Sequence, residues 1–253
     1  MKNKLSVVII TKNEASNIGS CLDAAIAVSD DIWIIDSGST DETINISRDK
    51  GAHVVEGEWK GYGAMKNWGN SFCINDWILS IDADEVLSPE LIHSINQLSL
   101  KEDKVYLLDR ITYYDGQWIK HCGWYPDWKP RLFNRNHARW LDDLIHEELT
   151  YDSSYKMSSV KLVGYLYHYS YPTLQHHLSK IDHYSKLSAE ALFLKGKRSN
   201  FFKQYFSPII RFFKTYFIKM GFRDGKAGWS IASHDALLVY KKYKLLKKMT
   251  KHS

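Results

Sequence analysis

The chain has 253 residues, of which 44% are hydrophobic, 25% are charged and three are cysteine. This composition excludes a disordered or fibrous protein, and no uncharged apolar run approaches the roughly 18–20 residues that a membrane-spanning helix needs. The formal net charge of +5 and the 14% of aromatic residues are compatible with nucleic acid, a membrane surface or sugars as partners, so composition alone does not choose among them.

The first hundred residues alternate between strand-like and helix-like patterns. Short apolar runs typical of buried strands cover residues 5–10, 31–36, 53–55 and 77–81. Apolar residues recur at helical spacing between these runs, and residues 88–90 (Ser-Pro-Glu) form a favourable helix start. The alternation predicts an α/β fold with a mostly parallel sheet and helices on both of its faces.

Polar clusters follow three of the predicted strands, at residues 11–14, 36–41 and 82–85. Ligands of parallel sheets bind beyond the carboxyl ends of the strands. Because the three clusters share that edge, we expect them to form one binding site. Ser39, Asp41 and Ser88 also have an alternative explanation, since these residue types commonly cap helices.

Asp82 and Asp84 are two residues apart at the end of the fourth strand. In extended geometry such side chains lie on one face, so both carboxylates would approach one cation. Their oxygens suit Mg²⁺ or Mn²⁺, which keep positions open for diphosphate oxygens. No glycine-rich phosphate loop follows the first strand, which argues against a dinucleotide oxidoreductase or a P-loop NTPase.

Several segments carry a family resemblance in chain order. Residues 7–14 (VVIITKNE), 36–43 (DSGSTDET) and 82–85 (DADE) together resemble the nucleotide-binding half of glycosyltransferase family 2, the inverting enzymes of the GT-A fold. Residues 61–67 (GYGAMKN) and 145–148 (IHEE) are similar to the branch of lipopolysaccharide-core β-1,4-glucosyltransferases. The resemblance covers nearly the whole chain and implies a GT-A Rossmann-like sheet flanked by helices.

The resemblance also implies which residues bind the nucleotide-sugar. Thr11, Asn13 and Glu14 would line the nucleoside pocket. Asp36 would accept a hydrogen bond from the uracil or the ribose. Lys66 would offer its charge to the base edge or to the diphosphate.

A metal site follows from the same resemblance. Asp82 and Asp84 would hold Mg²⁺ or Mn²⁺ on the sugar diphosphate, with Asp84 the more direct ligand. His168 and His146 are each candidates for a third metal ligand or an acceptor contact, with His168 assigned to the metal and His146 to the acceptor. Each histidine has the alternative of an ordinary hydrogen-bonded or exposed side chain.

Inversion at the anomeric carbon requires one general base, which takes the proton of the acceptor hydroxyl opposite the leaving group. The second half of the chain offers four carboxylates for this role: Asp142, Asp143, Glu147 and Glu148. The similarity of the His-Glu pair to the subfamily pattern favours Glu147, with Asp143 as the alternative. A merely solvated acidic stretch is the competing explanation.

Residues 113–140 are rich in aromatic and basic side chains. Aromatic faces stack on sugar rings, and arginine forks bind phosphates or carboxylates. The stretch from Trp124 through Trp128 to Arg131 contains two prolines and is predicted to be an acceptor-binding loop. The alternative is that its tryptophans complete the core.

The end of the chain is strongly basic. Residues 195–253 hold 15 Lys or Arg and two Asp or Glu, a net charge of +13, whereas residues 1–194 have a net charge of −8. Apolar residues between 202 and 220 recur at helical spacing, which predicts a basic amphipathic helix suited to an anionic membrane surface. The alternative is that this stripe packs on the protein itself.

We therefore expect a catalytic domain over residues 1–194 and a basic helical extension over residues 195–253. Residues 1–100 would form the nucleotide-binding half of the catalytic domain, and residues 101–194 the acceptor-binding half.

The expected activity is metal-dependent transfer of a hexose, with glucose from UDP-glucose favoured, to a lipopolysaccharide inner-core heptose. A polysaccharide, a lipid carrier or a protein is the alternative acceptor. A nucleic-acid-binding protein is a remote alternative that leaves the strand-end clusters unexplained, so nucleic acid is not an expected partner. The three cysteines cannot all pair and no secretory signal is evident, which favours a cytoplasmic protein, peripheral on the inner face of the bacterial inner membrane.

Overall fold

A computed structural model describes residues 3–141, 148–152 and 156–250. Its first elements are β1 (Leu5–Thr11), α1 (Ile18–Ile26), β2 (Asp31–Asp36), α2 (Thr43–Asp49), β3 (His53–Glu56), α3 (Tyr62–Asn70), β4 (Trp77–Asp82), β5 (Glu85–Leu87) and α4 (Pro89–Asn96). There follow β6 (Lys104–Tyr114), β7 (Gln117–Trp118), β8 (Asp127–Asn134), β9 (Ala138–Trp140), β10 (Leu149–Tyr151) and β11 (Ser158–Tyr171). The last helices are α5 (Leu174–Leu194), α6 (Phe201–Phe213) and α7 (Gly225–Met249), with a π-helical turn (Lys214–Ile218) and a 3₁₀ turn (Gly221–Asp224) before α7.

The chain forms two compact units. The first unit comprises Met1–Arg110 and Asp127–His168, and the second comprises Ile111–Pro126 and Tyr169–Ser253. Helix α5 thus belongs to the same compact unit as α6 and α7, so the division does not coincide with the boundary expected after residue 194. The division into a catalytic domain and a basic extension stays a prediction about function.

The main sheet begins with the parallel order β3-β2-β1-β4 and continues with β8, β6, β11 and β5. Strand β1 is buried along its whole length, and Ile9 lies beside Ile34 of β2 and Ile81 of β4. Apolar residues of α1 and α4 cover one face, and Met65 of α3 belongs to the apolar cluster of the other. The predicted α/β class is confirmed. The first four strands of the chain pair in parallel, whereas β8 pairs antiparallel with both β4 and β6.

Glycine allows α3 to approach the sheet closely. A Cβ at Gly69 would lie 2.5 Å from Val8 Cγ1 and 2.7 Å from Ile35 Cγ1. We expect Gly69→Ala to lower the free energy of unfolding by about 1–3 kcal/mol, because the buried neighbours must move. Gly19→Ala in α1 is the matched control: its Cβ would meet Lys50 Cε at an ordinary 3.6 Å. Gly19→Ala should leave the free energy of unfolding unchanged or raise it by up to about 1 kcal/mol. If urea unfolding showed equal losses of stability in Gly69→Ala and Gly19→Ala, the close approach of α3 would not explain the glycine.

The second unit has a small core of its own around Tyr114, Ile119 and Ile231. His177 in this unit is buried, and its Nδ1 lies 3.0 Å from Tyr114 Oη and 2.9 Å from His234 Nδ1. Burial, together with the charges of His234 and Lys180, lowers the pKa of His177 to about 4. The folded protein therefore favours the neutral imidazole.

This shift predicts a pH dependence of stability. Above pH ~6.5 the imidazole is neutral in both the folded and the unfolded chain, so its contribution is fully present. As the pH falls towards 4, the unfolded chain binds the proton more readily, and His177 should lower the free energy of unfolding by up to about 3 kcal/mol. His177→Gln should flatten this part of the profile, whereas His183→Gln, at an exposed position of α5, should leave it unchanged. Unfolding measured between pH 4 and 8 tests this, and an unchanged profile in His177→Gln would contradict it.

The described part of the chain contains no helix that is both long and apolar enough to cross a bilayer.

Candidate active site

The carboxyl ends of β1, β2 and β4 meet at one edge of the sheet in the first unit. The register places Thr11 beside Asp36 and Ile10 beside Asp82. The structure thus brings together the three polar clusters that the sequence predicted to share an edge.

Asp36 organises the loop that follows β2. One of its carboxylate oxygens, Oδ2, accepts hydrogen bonds from the backbone N–H groups of Gly38 and Ser39, both at 2.8 Å. The hydroxyl of Ser39 donates to the other oxygen, Oδ1. Asp36 is fully buried, so the contact with uracil or ribose that the resemblance implies would add to bonds that both oxygens already make within the loop.

The loops after β1 and β2 are joined by hydrogen bonds. Asn13 Oδ1 accepts from the Thr40 N–H at 2.7 Å, and the Asn13 N–H donates to Ser39 Oγ at 2.8 Å. The Glu14 N–H donates to Thr43 Oγ1 at 2.8 Å. Asn13 has a φ of 55°, a left-handed conformation that Asn tolerates better than most residues. Together these bonds give the predicted nucleoside pocket a defined wall.

The helix-capping alternative holds for one of the serines. Ser88 Oγ accepts from the Leu91 N–H at 3.2 Å and caps α4. Ser39 does not cap α2, which begins at Thr43, because its hydroxyl is engaged by Asp36 and Asn13. Ser39 therefore belongs to the loop network of the site.

Asp82 and Asp84 contact different groups. The expectation that they extend from one face of a strand is wrong, because β4 ends at Asp82 and residues 83 and 84 form a turn before β5. Asp82 Oδ1 lies 3.0 Å from Lys66 Nζ, and Asp82 Oδ2 lies 2.9 Å from Arg131 Nη2. Asp84 Oδ2 lies 3.3 Å from His168 Nε2.

Lys66 is completely buried, although it carries an ammonium group. Its Nζ lies 4.8 Å from the ring centroid of Trp140, in addition to its contact with Asp82. Burial raises the pKa of Asp82, but the charges of Lys66 and Arg131 outweigh that effect and hold the pKa below its usual range. Asp82 is therefore ionised, and the paired charges compensate much of the cost of burial.

Arg131 occupies a different place from the one expected. Its side chain is 3% exposed, and its Nη2 lies 2.7 Å from Oε1 of the fully buried Glu85. Glu85 also accepts the Asp82 N–H through Oε2 at 3.0 Å, and its Oε1 lies 3.3 Å from Arg110 Nη1. The guanidinium of Arg131 thus positions the carboxylates at the end of β4 rather than facing an acceptor, and the predicted acceptor role is corrected accordingly.

The predicted acceptor loop is largely a strand. Residues Asp127–Asn134 form β8, in which Pro130 pairs with Leu107 next to a register irregularity. Proline fits such a position, because a regular ladder hydrogen bond is not required there. The interpretation of this stretch as a loop was therefore wrong from residue 127 onward.

The two tryptophans assigned to the acceptor fall in different units. Trp128 in the first unit is partly exposed, with Lys161 Nζ 4.5 Å from its ring centroid. Trp124 in the second unit packs against Tyr171, at 5.4 Å between centroids, and Tyr114, at 5.7 Å. Trp124 thus fits the alternative in which a tryptophan completes a core, because it packs on the core cluster of the second unit, whereas Trp128 lines a surface pocket of the first unit.

The candidates for the general base, Glu147, Asp143 and Asp142, lie outside the described residues, and so does His146. Glu148 is described: its side chain is exposed, and its backbone carbonyl accepts from the Leu141 N–H at 2.8 Å.

The sequence profile of Glycosyl transferase family 2 matches residues 6–164. The chain belongs to this family. An uncharacterised glycosyltransferase of Rickettsia prowazekii is 31% identical over 245 residues, which cover 89% of this chain and 80% of the relative. The lipopolysaccharide core biosynthesis glycosyltransferase LpsC of Rhizobium meliloti is 28% identical over 252 residues, 94% of this chain and 90% of LpsC. The family resemblance and the prediction of a glycosyltransferase are confirmed.

Crystal structures of glucosyl-3-phosphoglycerate synthase from Mycobacterium tuberculosis, one with Mn²⁺, uridine diphosphate and glucosyl-3-phosphoglycerate, also align with this chain. The alignment covers 43% of this chain and 44% of the synthase, at 24% identity and a TM-score of 0.35.

The side chains of this glycosyltransferase fit a metal ion that takes some of its coordination positions from a bound ligand, rather than one coordinated by protein side chains alone. Within residues 3–141, 148–152 and 156–250, no group of three or more His, Cys, Asp and Glu side chains is arranged to hold a metal. Asp84 and His168, two of the three predicted ligands, are nevertheless adjacent. A carboxylate oxygen and an imidazole nitrogen suit a divalent cation whose other positions are taken by phosphate oxygens and water.

Sequence reasoning missed the structural roles of Glu85 and Arg110. Glu85 is the last residue of the DADE segment, and this position in the motif could have indicated that it takes part in the site. Arg110 comes from β6 and contacts Asp127 as well, with Nη2 2.7 Å from Oδ2. Nothing local in the sequence links Arg110 to β4, because β8 separates the two strands in the sheet.

Proposed function

We propose that this family 2 glycosyltransferase is an inverting, metal-dependent hexosyltransferase. Its favoured donor is UDP-glucose, and its acceptor is a lipopolysaccharide inner-core heptose. The observation that carries the proposal is the Asp84–His168 pair, which adjoins the salt-bridged Asp82 at the sheet edge where parallel strands bind ligands. The similarity to LpsC over 94% of the chain supports the choice of acceptor.

Asp84 and His168 are the residues that would hold a divalent cation. When bound, Mg²⁺ or Mn²⁺ supplies positive charge that stabilises the departing diphosphate. An imidazole next to a carboxylate is a softer donor set than Mg²⁺ prefers, which favours Mn²⁺.

Asp82 is held in place from two sides, by Lys66 at 3.0 Å and Arg131 at 2.9 Å. Preorganised charges of this kind require little rearrangement during the reaction. Asp82 is thus proposed to contact the nucleotide-sugar or its cation in a fixed orientation. Lys66 and Arg131 then act as positioning residues, and they add positive charge near the diphosphate.

The joined loops after β1 and β2 are proposed to bind the nucleoside. Thr11 is 5% exposed at the end of β1, while Asn13 and Glu14 have backbone bonds that fix the path of the loop. Asp36 stabilises the second loop, so its proposed contribution to nucleoside binding is mainly through the shape of that loop.

The general base is proposed to be Glu147, with Asp143 as the alternative. The base would take the proton of the acceptor hydroxyl as that oxygen attacks the anomeric carbon from the side opposite the nucleoside diphosphate. Trp128 is the proposed stacking surface for an acceptor sugar, with Lys161 beside its ring. A polysaccharide, lipid carrier or protein acceptor is the second candidate, because the same donor site would serve it.

The proposed location is the cytoplasmic face of the bacterial inner membrane, where a nucleotide-sugar and a membrane-attached core acceptor meet. The test is incubation with UDP-glucose, Mn²⁺ and a heptose-containing core oligosaccharide, followed by mass spectrometry and NMR of the product. A β-linked hexose on heptose is the expected result. An α-linked product would contradict inversion, and transfer only to another acceptor would contradict the proposed substrate.

A further inference from the structure

Helix α6 and the π-helical turn after it have their polar side turned towards the protein. Gln204 and Thr215 are 5% and 3% exposed. Arg211 Nε lies 3.0 Å from Asp235 Oδ2 of α7, and the Thr215 hydroxyl donates to the same oxygen at 2.9 Å. Polar side chains therefore mediate part of the packing between α6 and α7.

The opposite side of this segment is apolar and exposed. Six of its large side chains have between 50% and 71% of their surface exposed: Phe202, Phe206, Ile209, Ile210, Phe213 and Ile218. We refer to these six residues as the α6 face. The predicted apolar stripe thus exists: Tyr205 and Tyr216 pack on Tyr240 and Trp229 of α7, whereas the α6 face is exposed. A contiguous apolar patch of this kind on a protein surface indicates a binding partner.

The charges around the α6 face are almost all positive. Residues 195–226 contain nine Lys or Arg and one acidic residue, Asp224. Asp224 is buried, and its Oδ1 lies 2.8 Å from His121 Nδ1, so it does not offset the surface charge. Lys203 and Lys214 are exposed, and at about 100° per residue they border the α6 face next to Ile210.

An anionic lipid surface complements both properties of this segment. Lipid acyl chains match the aromatic and aliphatic side chains, while the phosphates of the headgroups match the lysines at the border. A second copy of the chain would bring the same positive border against itself, which is unfavourable. A 13-residue helix is about 20 Å long, and this one packs against α7, so it suits a position in the plane of the membrane rather than across it.

We propose that the α6 face docks on an anionic lipid bilayer, with its apolar side chains at the acyl boundary and Lys203 and Lys214 at the headgroup phosphates. The docking itself follows from the surface. Its use in bringing the active site to a lipid-attached acceptor rests on the proposed function.

The test is cosedimentation of the full chain with vesicles of 30% phosphatidylglycerol and 70% phosphatidylcholine, compared with pure phosphatidylcholine. We expect binding to the anionic vesicles, with affinity at least tenfold higher than for the neutral ones and decreasing as salt is added. Ile209→Ser combined with Ile210→Ser should weaken this binding at least tenfold. The matched control combines Ile74→Ser and Val163→Ser, two apolar residues of the first unit that are 79% and 73% exposed, and should bind as the unmodified chain does.

A second variant keeps the result interpretable if the first folds poorly. Lys203→Gln with Lys214→Gln leaves the apolar side chains intact and should reduce the preference for anionic vesicles severalfold. Thermal unfolding of each variant monitors folding. Equal binding to both vesicle types, or equal loss in the Ile209/Ile210 and Ile74/Val163 variants, would overturn the proposal. The proposal would also be overturned if the unmodified chain were a dimer that does not bind vesicles and the Ile209→Ser/Ile210→Ser variant were a monomer. That result would assign the α6 face to contact with a second copy of the chain.

Titration with UDP in the presence of Mn²⁺ separates this proposal from the proposed function. The Ile209→Ser/Ile210→Ser variant should bind UDP as the unmodified chain does, because these positions lie outside the unit that holds the donor site. Loss of vesicle binding with retained UDP binding supports docking through α6. Vesicle binding without any UDP binding would leave docking intact and contradict the proposed function.

Discussion

Asp84→Asn is expected to lower turnover with UDP-glucose by about a hundredfold or more. The substitution keeps the size of the side chain and one oxygen, but it removes the negative charge that would hold a divalent cation next to His168. Loss of metal stabilisation of a departing diphosphate costs on the order of several kcal/mol in the transition state, and each 1.36 kcal/mol corresponds to a factor of ten in rate. Release of UDP from UDP-glucose at saturating Mn²⁺ is the measurement.

The control for this prediction is Asp23→Asn, at a carboxylate that is 66% exposed and contacts Lys50. Its turnover should equal that of the unmodified enzyme. His168→Ala should resemble Asp84→Asn in direction and should also raise the Mn²⁺ concentration needed for half-maximal activity. Full turnover in Asp84→Asn, or an unchanged Mn²⁺ requirement in His168→Ala, would contradict the assignment of these two residues to the metal.

Glu85→Gln is expected to lower the free energy of unfolding by about 3–5 kcal/mol. The fully buried carboxylate lies 2.7 Å from Arg131 Nη2 and 3.3 Å from Arg110 Nη1. Its neutralisation leaves two guanidinium groups near each other with less compensating charge, and removing one member of a buried ionic group costs more than the intact group contributes. Urea unfolding measures the loss.

The matched control is Glu56→Gln, whose carboxylate pairs with Arg48 while both side chains are 55% exposed. This surface pair should change stability by less than about 1 kcal/mol. Adding Arg131→Met to Glu85→Gln should recover part of the loss, because it removes one of the uncompensated charges. If Glu85→Gln and Glu56→Gln lowered the free energy of unfolding by the same small amount, the buried contacts of Glu85 with Arg131 and Arg110 would not stabilise the end of β4.

The parallel part of the sheet could be predicted from the sequence because its signals are local. The apolar run of β1 is buried from Leu5 to Thr11, as expected for a strand covered on both faces. The carboxyl ends of parallel strands lie at one edge of the sheet. The sequence therefore predicts that the clusters at Thr11, Asp36 and Asp82 share one site.

The arrangement within the site depends on contacts that are distant in sequence. Arg131 is 49 residues from Asp82 and 46 from Glu85, and it reaches both only because β8 pairs with β4. From the sequence alone, the guanidinium of Arg131 in its aromatic stretch is equally compatible with binding a ligand and with pairing with buried carboxylates. The strand β8 was missed for a related reason, since Pro130 argues against a strand unless the partner strand is irregular at that point.

The sequence pattern likewise does not predict the orientation of α6 in the protein. The periodicity of Phe206, Ile209 and Phe213 predicts an amphipathic helix, but it does not determine which side faces the protein. In the structure Gln204 and Thr215 are buried, Phe212 and Tyr216 pack on Trp229 of α7, and the α6 face is exposed.

The central claim is that the strand-end site binds a nucleoside diphosphate through a cation held by Asp84 and His168. Calorimetric titration of UDP, with Mn²⁺ and then with EDTA in its place, tests it most directly. We predict affinity at least tenfold higher with Mn²⁺, and loss of that increase in Asp84→Asn but not in Asp23→Asn. Equal UDP affinity with and without the metal, or an undiminished increase in Asp84→Asn, would contradict the claim.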